Sequence, residues 1–177
     1  VAAERIDEVL QTASSIRNPE QPETLAAHNG VLRFNHVSFR YPNAEEDVLH
    51  DIDFTATPGT TTAIIGSTGC GKSTLVNLIP RLYDVTAGSI EIDGKDIRKL
   101  SMEELRSEIG FVPQKGVLFS GTIASNLRFG NDEATGEEIR RAAKIAQAAD
   151  FIEEKEEKYD SPIAQGGSNV SGGQKQR

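Results

Sequence analysis

Eight residues from Gly66 to Ser73 read Gly-Ser-Thr-Gly-Cys-Gly-Lys-Ser and match the pattern G-x-x-x-x-G-K-S/T in full. Chemistry accounts for the spelling. Glycines let backbone N–H groups crowd around a polyphosphate without obstruction by Cβ atoms, the Lys72 ammonium reaches its outer phosphates, and the Ser73 hydroxyl is a hard oxygen ligand for magnesium. A helix opening near Gly71 points its positive end at the same anion. Cys70, the only cysteine, sits inside this loop, which predicts an exposed, modifiable thiol, and a chain with one cysteine forms no internal disulfide.

The elements that must hold such a loop are legible on both sides of it. Thr61 to Ile65 is a β-branched run that predicts a buried strand, and Thr74 to Leu82 is helix-compatible. Strand, glycine loop and helix are the context that the pattern requires. Upstream, Leu32 to Tyr41 alternates broadly and Val48 to Phe54 forms a second β-like run, which together predict an antiparallel layer. Gly88 to Asp93 alternates like a strand, Gly110 to Pro113 is apolar and strand-like, and beyond Gln114 the composition becomes helical. Ser101 with Glu104 and Thr135 with Glu138 read as capping boxes, the first opening a short helix through Ile109, the second presenting Ile139, Ala142, Ala143, Ala146 and Ala149 as one apolar face. The charge run Glu153 to Lys158 reads as a solvated helix surface. Ile6, Val9, Leu10 and Ala13 make a helical stripe within Val1 to Ile16, ended by Asn18-Pro19 and followed by a tether to Gly30.

Composition bounds the function classes. The 177 residues are 37% hydrophobic, enough for a core, with a formal net charge of −8. That charge argues against nucleic acid as a partner, since binding to it rests on Lys and Arg neutralising phosphates. No apolar run approaches the roughly 20 residues that cross a bilayer, which predicts a soluble piece, and the start without methionine suggests a segment of something longer.

Ser171-Gly-Gly-Gln174, followed by Lys175-Gln-Arg177, is a second loop able to cap a helix whose free N–H groups face an anion. Tyr41 in Phe-Arg-Tyr-Pro, the Gly66 to Ser73 loop, Gln114 in Phe-Val-Pro-Gln, and Val170 to Arg177 occur in the order found in the ATPase domains of ABC transporters. The chain resembles the nucleotide-binding domain of an ABC exporter over essentially its whole length. Ile90 to Gly94, Leu105-Arg106 and Gly116 to Asn126 are similar to multidrug and lipid exporters, and Val1 to Leu10 is similar to the tether below their last membrane helix.

That resemblance implies an α/β fold with a P-loop NTPase, RecA-like core, an antiparallel β subdomain and an α-helical subdomain, incomplete at the C-terminus. It implies residues 1–29 as helix and linker from a membrane domain, 30–59 as the antiparallel region, 60–113 as the nucleotide core and 114–177 as the helical subdomain. ATP and magnesium are the implied cofactors. Tyr41 stacks on adenine and, with Val48, flanks the nucleotide. Gly66, Ser67, Thr68, Gly69, Cys70, Gly71, Lys72, Ser73 and Thr74 wrap its phosphates. Lys72 and Gln114 act in catalysis, Ser73 and Gln114 on the metal, and Ser171, Gly172, Gly173 and Gln174 contact the ATP of a facing domain. The implied partners are a second ATPase domain and a transmembrane domain, at the cytoplasmic face of the cell membrane.

Departures from the family pattern are Val170 where leucine is usual, and Lys115 and Gln165-Gly-Gly167 where many exporters carry acidic or Glu-Arg sequences. The apolar strand ending in aspartate and glutamate, and the switch histidine, are not found by Arg177, and His28, His36 and His50 all precede the phosphate loop. The chain is therefore expected to bind ATP rather than hydrolyse it, and to expose a sheet edge beside the loop. Two other classes stay open: a different phosphate-loop enzyme such as a nucleoside kinase or GTPase, and a non-catalytic nucleotide-binding module.

Overall fold

The computed structural model describes residues 2–177, which divide into two compact units, the first ending at Phe111 and the second running from Val112 to Arg177. In the first, helix α1 (Ala2–Gln11) precedes strands β1 (Leu32–Phe39) and β2 (Leu49–Ala56), helix α2 (Lys72–Leu78), strands β3 (Ala87–Ile92) and β4 (Lys95–Asp96), and helix α3 (Met102–Ser107). The strands form one antiparallel sheet in the order β2-β1-β3-β4. The expected antiparallel pair is present, and β3, from beyond the glycine loop, joins it on the other side of β1.

Strict alternation fails along β1 because the strand is bulged. Phe34 pairs with Phe54 and Val37 with Ile52, and the register slips between them, where His36 takes a left-handed φ of 49°. The bulge turns Phe34, Val37 and Phe39 all inward, at spacings of three and two. They pack with Leu49, Ile90 and Ile92 from the sheet, with Leu75 and Leu78 from α2 and Leu105 from α3, and with Ile97 and Leu100 from the segment between β4 and α3. Phe34 is fully buried and stacks on Phe54 with ring centroids 4.7 Å apart. This core fixes α2, and with it the end of the glycine loop.

Several expected elements take a different form. Helix α1 stops at Gln11, well before Ile16, because Ser14 Oγ donates to the Ile16 carbonyl and Arg17 Nε to the Ser14 carbonyl, local bonds that compete with the helical ladder. Helix α2 ends at Leu78 rather than Leu82: Pro80 has no N–H, and Arg81 turns left-handed (φ 54°), sending the Leu82 N–H to the Asn77 carbonyl. Thr61 to Ile65 is not a buried strand, and Gly110 to Pro113 is not a strand; Ile65 is 91% and Val112 73% exposed. Composition supplies strand propensity, but a strand exists through its ladder, and among the described residues nothing pairs with either run. At α3 only half of the expected capping box forms. Ser101 Oγ accepts from the Glu104 N–H, while the Glu104 carboxylate accepts from the Leu25 N–H at 2.7 Å, and the helix ends at Ser107 rather than Ile109.

The stretch expected as a tether is pinned along its length. Asn18 Oδ1 accepts from the Met102 N–H, Glu23 meets Lys95 and Lys99, and His28 meets Glu108. Asp93 accepts from the N–H groups of Asn29, Gly30 and Val31 at 2.8, 3.0 and 2.9 Å. The bond from Val31, with those from Gly30 and Asn29, holds the Asp93 carboxyl below its usual range. A folded-state pKa that is lowered gives stabilisation present above the unfolded value of about 3.9 and lost as pH falls through the lowered one. Asp93→Asn is expected to lose about 1 kcal/mol at pH 7 and to flatten the acid limb of the stability profile. Urea unfolding at pH 7 and pH 3 checks this, and a difference from the parent that is equal at both pH values contradicts it.

In the second unit, β5 (Gly121–Thr122) pairs antiparallel with β6 (Pro162–Ile163), and helices α4 (Ile123–Leu127), α5 (Gly136–Ile145), α6 (Ala149–Glu153) and α7 (Gly172–Gln176) surround a core of Ile123, Ala143, Ala148, Ile152 and Ile163. The Thr135–Glu138 capping box forms in both directions. Its helix buries Ile139 and Ala143 but leaves Ala142 exposed, so the apolar face is narrower than its sequence suggests. The charged run is solvated as expected but is not a helix surface: α6 ends at Glu153, the chain turns, and Lys158 returns to Glu153 at 3.0 Å. Among the described residues no helix is long and apolar enough to cross a membrane.

Candidate functional site

Two groups of the expected site residues are each assembled locally, one per unit. In the first, Gly66 to Gly71 forms an exposed loop leading into α2, closed on itself where the Cys70 N–H reaches the Ser67 carbonyl at 3.4 Å. Gly71 is the N-cap of α2 with φ 89°, and no side chain caps the helix, so its first N–H groups remain open toward the loop. The Lys72 ammonium lies over the hollow, donating to the carbonyls of Gly66 (2.9 Å) and Ser67 (2.6 Å), with Cys70 Sγ at 3.6 Å. No carboxylate is among these partners. Ser67, Thr68 and Gly69 form the exposed rim, and the Ser73 side of the first helical turn is exposed as well.

Behind the loop, Val48 and Leu49 press against Gly71. A Cβ there would lie 2.8 Å from Leu49 Cδ2 and 3.2 Å from the Val48 carbonyl oxygen. Val48 thus backs the loop from the position immediately before β2. Tyr41 is half-buried just beyond β1, and its hydroxyl meets the buried Thr74 Oγ1 at 3.0 Å. Its ring packs edge-on with Phe39 (4.9 Å) and Tyr83 (5.2 Å). The sequence reading missed Leu49 and Tyr83. The one signal for Tyr83 in the sequence is an aromatic residue soon after the loop's helix.

In the second unit, Ser171 caps α7 in a full box. Ser171 Oγ accepts from the Gln174 N–H at 3.2 Å, and Gln174 Oε1 accepts from the Ser171 N–H at 3.0 Å. Gly172 and Gly173 form the exposed first turn, and Gln114 is exposed on its own loop.

Both phosphate and magnesium suit the first group. The glycine turn has no room for a side chain at Gly71, the uncapped N–H groups and the ammonium are anion partners, and a serine hydroxyl beside phosphates is the kind of oxygen that magnesium takes. Among the described residues no cluster of three His, Cys, Asp or Glu side chains forms an all-protein metal cage. Cys70 is exposed, and a bulky adduct on it would crowd the space next to the Lys72 ammonium. Maleimide is expected to modify Cys70 and block ATP uptake, with ATP slowing the labelling. Mass spectrometry with and without ATP reads this, and equal labelling rates contradict the placement.

Comparison with known proteins adds to the geometry. The family model described as ABC transporter matches residues 49–177. An uncharacterized ABC transporter ATP-binding protein of Mycobacterium tuberculosis is 50% identical over the whole of this chain and 31% of its own length. The ATP-dependent lipid A-core flippase of Desulfotalea psychrophila is 42% identical over 99% of the chain and 30% of its own length. The structure of a bacterial Atm1-family ABC exporter with ATP bound superposes with a TM-score of 0.90 at 35% identity, over 98% of this chain and 30% of that one. The chain thus spans about a third of the length of these relatives. Its fold is the α/β P-loop NTPase fold of exporter ATP-binding domains, with an antiparallel sheet beside the phosphate loop. A glycine loop set on the helix that the sheet core holds in place, together with a family match running from β2 to the last residue, leads to one assignment: the chain belongs to the ABC transporter family.

Proposed function

We propose that this chain is the ATP-binding motor of an exporter, in which two such domains close head-to-tail over two ATP molecules and drive a transmembrane domain. The observation that carries the reading is the Lys72 ammonium poised over a glycine hollow whose helix is left uncapped. Gly66 to Thr74 hold the phosphates by main-chain N–H groups, Lys72 exchanges its two carbonyl contacts for phosphate oxygens, and Ser73 ligates magnesium. Tyr41 offers its remaining ring surface to adenine, with Val48 beside it. Gln114 senses the magnesium and attacking water and links the core to the membrane domain, and Ser171 to Gln174 seal the ATP held by the facing copy. ATP favours the closed pair only through contacts made in that state, which is how its binding does mechanical work.

The 177 residues alone bind magnesium-ATP without turning it over. Phosphate release by the isolated chain that Lys72→Ala abolishes overturns this part. The transported cargo is chosen outside these residues. A flippase named for the lipid A core and a protein of Bartonella henselae named for beta-(1→2)glucan export match at similar levels, 42% and 44%, so this sequence does not track cargo. The location is the cytoplasmic face of a membrane.

ATP-driven association separates this reading from a nucleoside kinase or GTPase. Sedimentation of the intact protein's ATPase domains with a non-hydrolysable ATP analogue is expected to show a nucleotide-dependent dimer that Ser171→Arg prevents. A monomer at saturating analogue contradicts it.

A further inference from the structure

Three aromatic rings close a triangle at the end of β1. Tyr41 stands nearly perpendicular to Phe39 (centroids 4.9 Å apart, 81°) and to Tyr83 (5.2 Å, 88°), and the third side, from Phe39 to Tyr83, is 5.6 Å. Contacts of this kind fix a ring's orientation as well as its position, because the positive edge of one ring seeks the negative face of the next. The Tyr41 hydroxyl is tied separately, to Thr74 Oγ1 at 3.0 Å. A ring gripped at its tip and by two neighbours is left little freedom to rotate.

Of the two neighbouring rings, Phe39 is 2% exposed and belongs to the core, whereas Tyr83 is 36% exposed. Its place comes from the turn that carries it. Arg81 takes a left-handed φ of 54°, and its nearly buried guanidinium forks onto Asp84, Nε to Oδ1 at 2.7 Å and Nη2 to Oδ2 at 3.2 Å. Tyr83 lies in sequence between the two ends of that fork, so a bidentate charge pair sets its backbone. Farther along, the Thr86 N–H donates to the Ser38 carbonyl at 2.9 Å, and Thr86 Oγ1 accepts from the Arg40 N–H at 2.9 Å. The turn from Arg81 to Thr86 is thus fastened to the chain on both sides of Phe39, up to the residue before Tyr41.

We propose that Tyr83 is a positioning residue that holds the Tyr41 ring ready for a base, so that the turn after α2 makes the site favour nucleotides over bare polyphosphates. This rests on the role proposed above for Tyr41. A stacking platform that is free to rotate must be ordered when the ligand arrives, and that cost is subtracted from affinity. A platform already set by Tyr83 avoids it. The benefit reaches only ligands that carry a base, since the phosphates are gripped elsewhere, by the Gly66 to Ser73 loop.

The test uses the intact protein carrying this chain, titrated with magnesium-ATP and with magnesium-tripolyphosphate, which has the phosphates and no base. Tyr83→Ala is expected to weaken ATP about five- to twentyfold and tripolyphosphate less than about twofold, and Tyr83→Phe, which keeps the ring, to stay within about twofold of the parent for both. Where Tyr83→Ala fails to fold, Tyr83→Leu, which keeps apolar bulk without a ring, takes its place with the same expectation. ATP affinity within twofold of the parent in the ringless variant, an equal loss toward both ligands, or a Tyr83→Phe as weak as the ringless variant overturns the inference while leaving the ATP reading intact. A parent that takes up no ATP, that takes up ATP but no tripolyphosphate, or whose ATP uptake survives Lys72→Ala overturns the reading itself and the inference with it.

Discussion

Lys72→Ala is expected to weaken ATP binding at least about 100-fold while leaving the fold within about 0.5 kcal/mol of the parent. The size follows from the contacts exchanged. Charge-assisted hydrogen bonds to phosphate oxygens are worth about 1.5–3 kcal/mol each, and each 1.4 kcal/mol is about tenfold in affinity. Stability changes little because the ammonium meets the exposed carbonyls of Gly66 and Ser67 and the exposed Cys70 Sγ. Removing a cation from the first position of α2 also relieves a small unfavourable interaction with the helix dipole. A calorimetric titration beside a thermal melt separates the two effects. Full affinity in the variant, or its loss together with the fold, contradicts the role given to Lys72.

Gly71→Ala is expected to be the most damaging single-atom change in the loop, and Gly69→Ala is its control. Both glycines are left-handed, with φ of 89° and 86°, so each alanine carries the backbone strain that L side chains meet there. Only Gly71 adds a collision, with Leu49 Cδ2 and the Val48 carbonyl, whereas nothing lies within 4 Å of a Cβ at Gly69. Strain alone is about 1–2 kcal/mol, and overpacking against a buried leucine adds about 1–3 kcal/mol. Gly71→Ala should therefore lower the melting temperature by roughly 5–15 °C and Gly69→Ala by less than half as much. Equal shifts would show that the wall behind Gly71 is not rigid.

How much of this was legible from sequence depends on the range of the interaction. The capping boxes at Thr135 and Ser171 are spelled within four residues and formed as read. The glycine loop and its helix are equally local. What composition could not show was set by long-range pairing. Thr61 to Ile65 has the residues of a buried strand, but a strand is completed by neighbours, and Ile65 stands exposed. The bulge at His36 breaks the alternation of β1 because both β2 and β3 must pair with it through one irregular strand. Glu104 deserted its own helix for the Leu25 N–H, a partner 79 residues away, and the same reach turned the stretch before Val31 from a tether into a strap. Around the candidate site, the Gly66 to Ser73 loop is spelled within eight residues, while the hydrogen bond between Tyr41 and Thr74 and the approach of α7 to Pro113 and Gly116 exist only once the chain has folded.

The claim beneath all of these is that main-chain amides of the Gly66 to Ser73 turn, with Lys72, grip an adenine triphosphate. A calorimetric titration of the intact protein with magnesium-ATP tests it most directly. One ATP per chain is predicted, lost in Lys72→Ala and preserved in Ser171→Arg when the domains are kept dilute. No heat of binding with natively folded protein would contradict it.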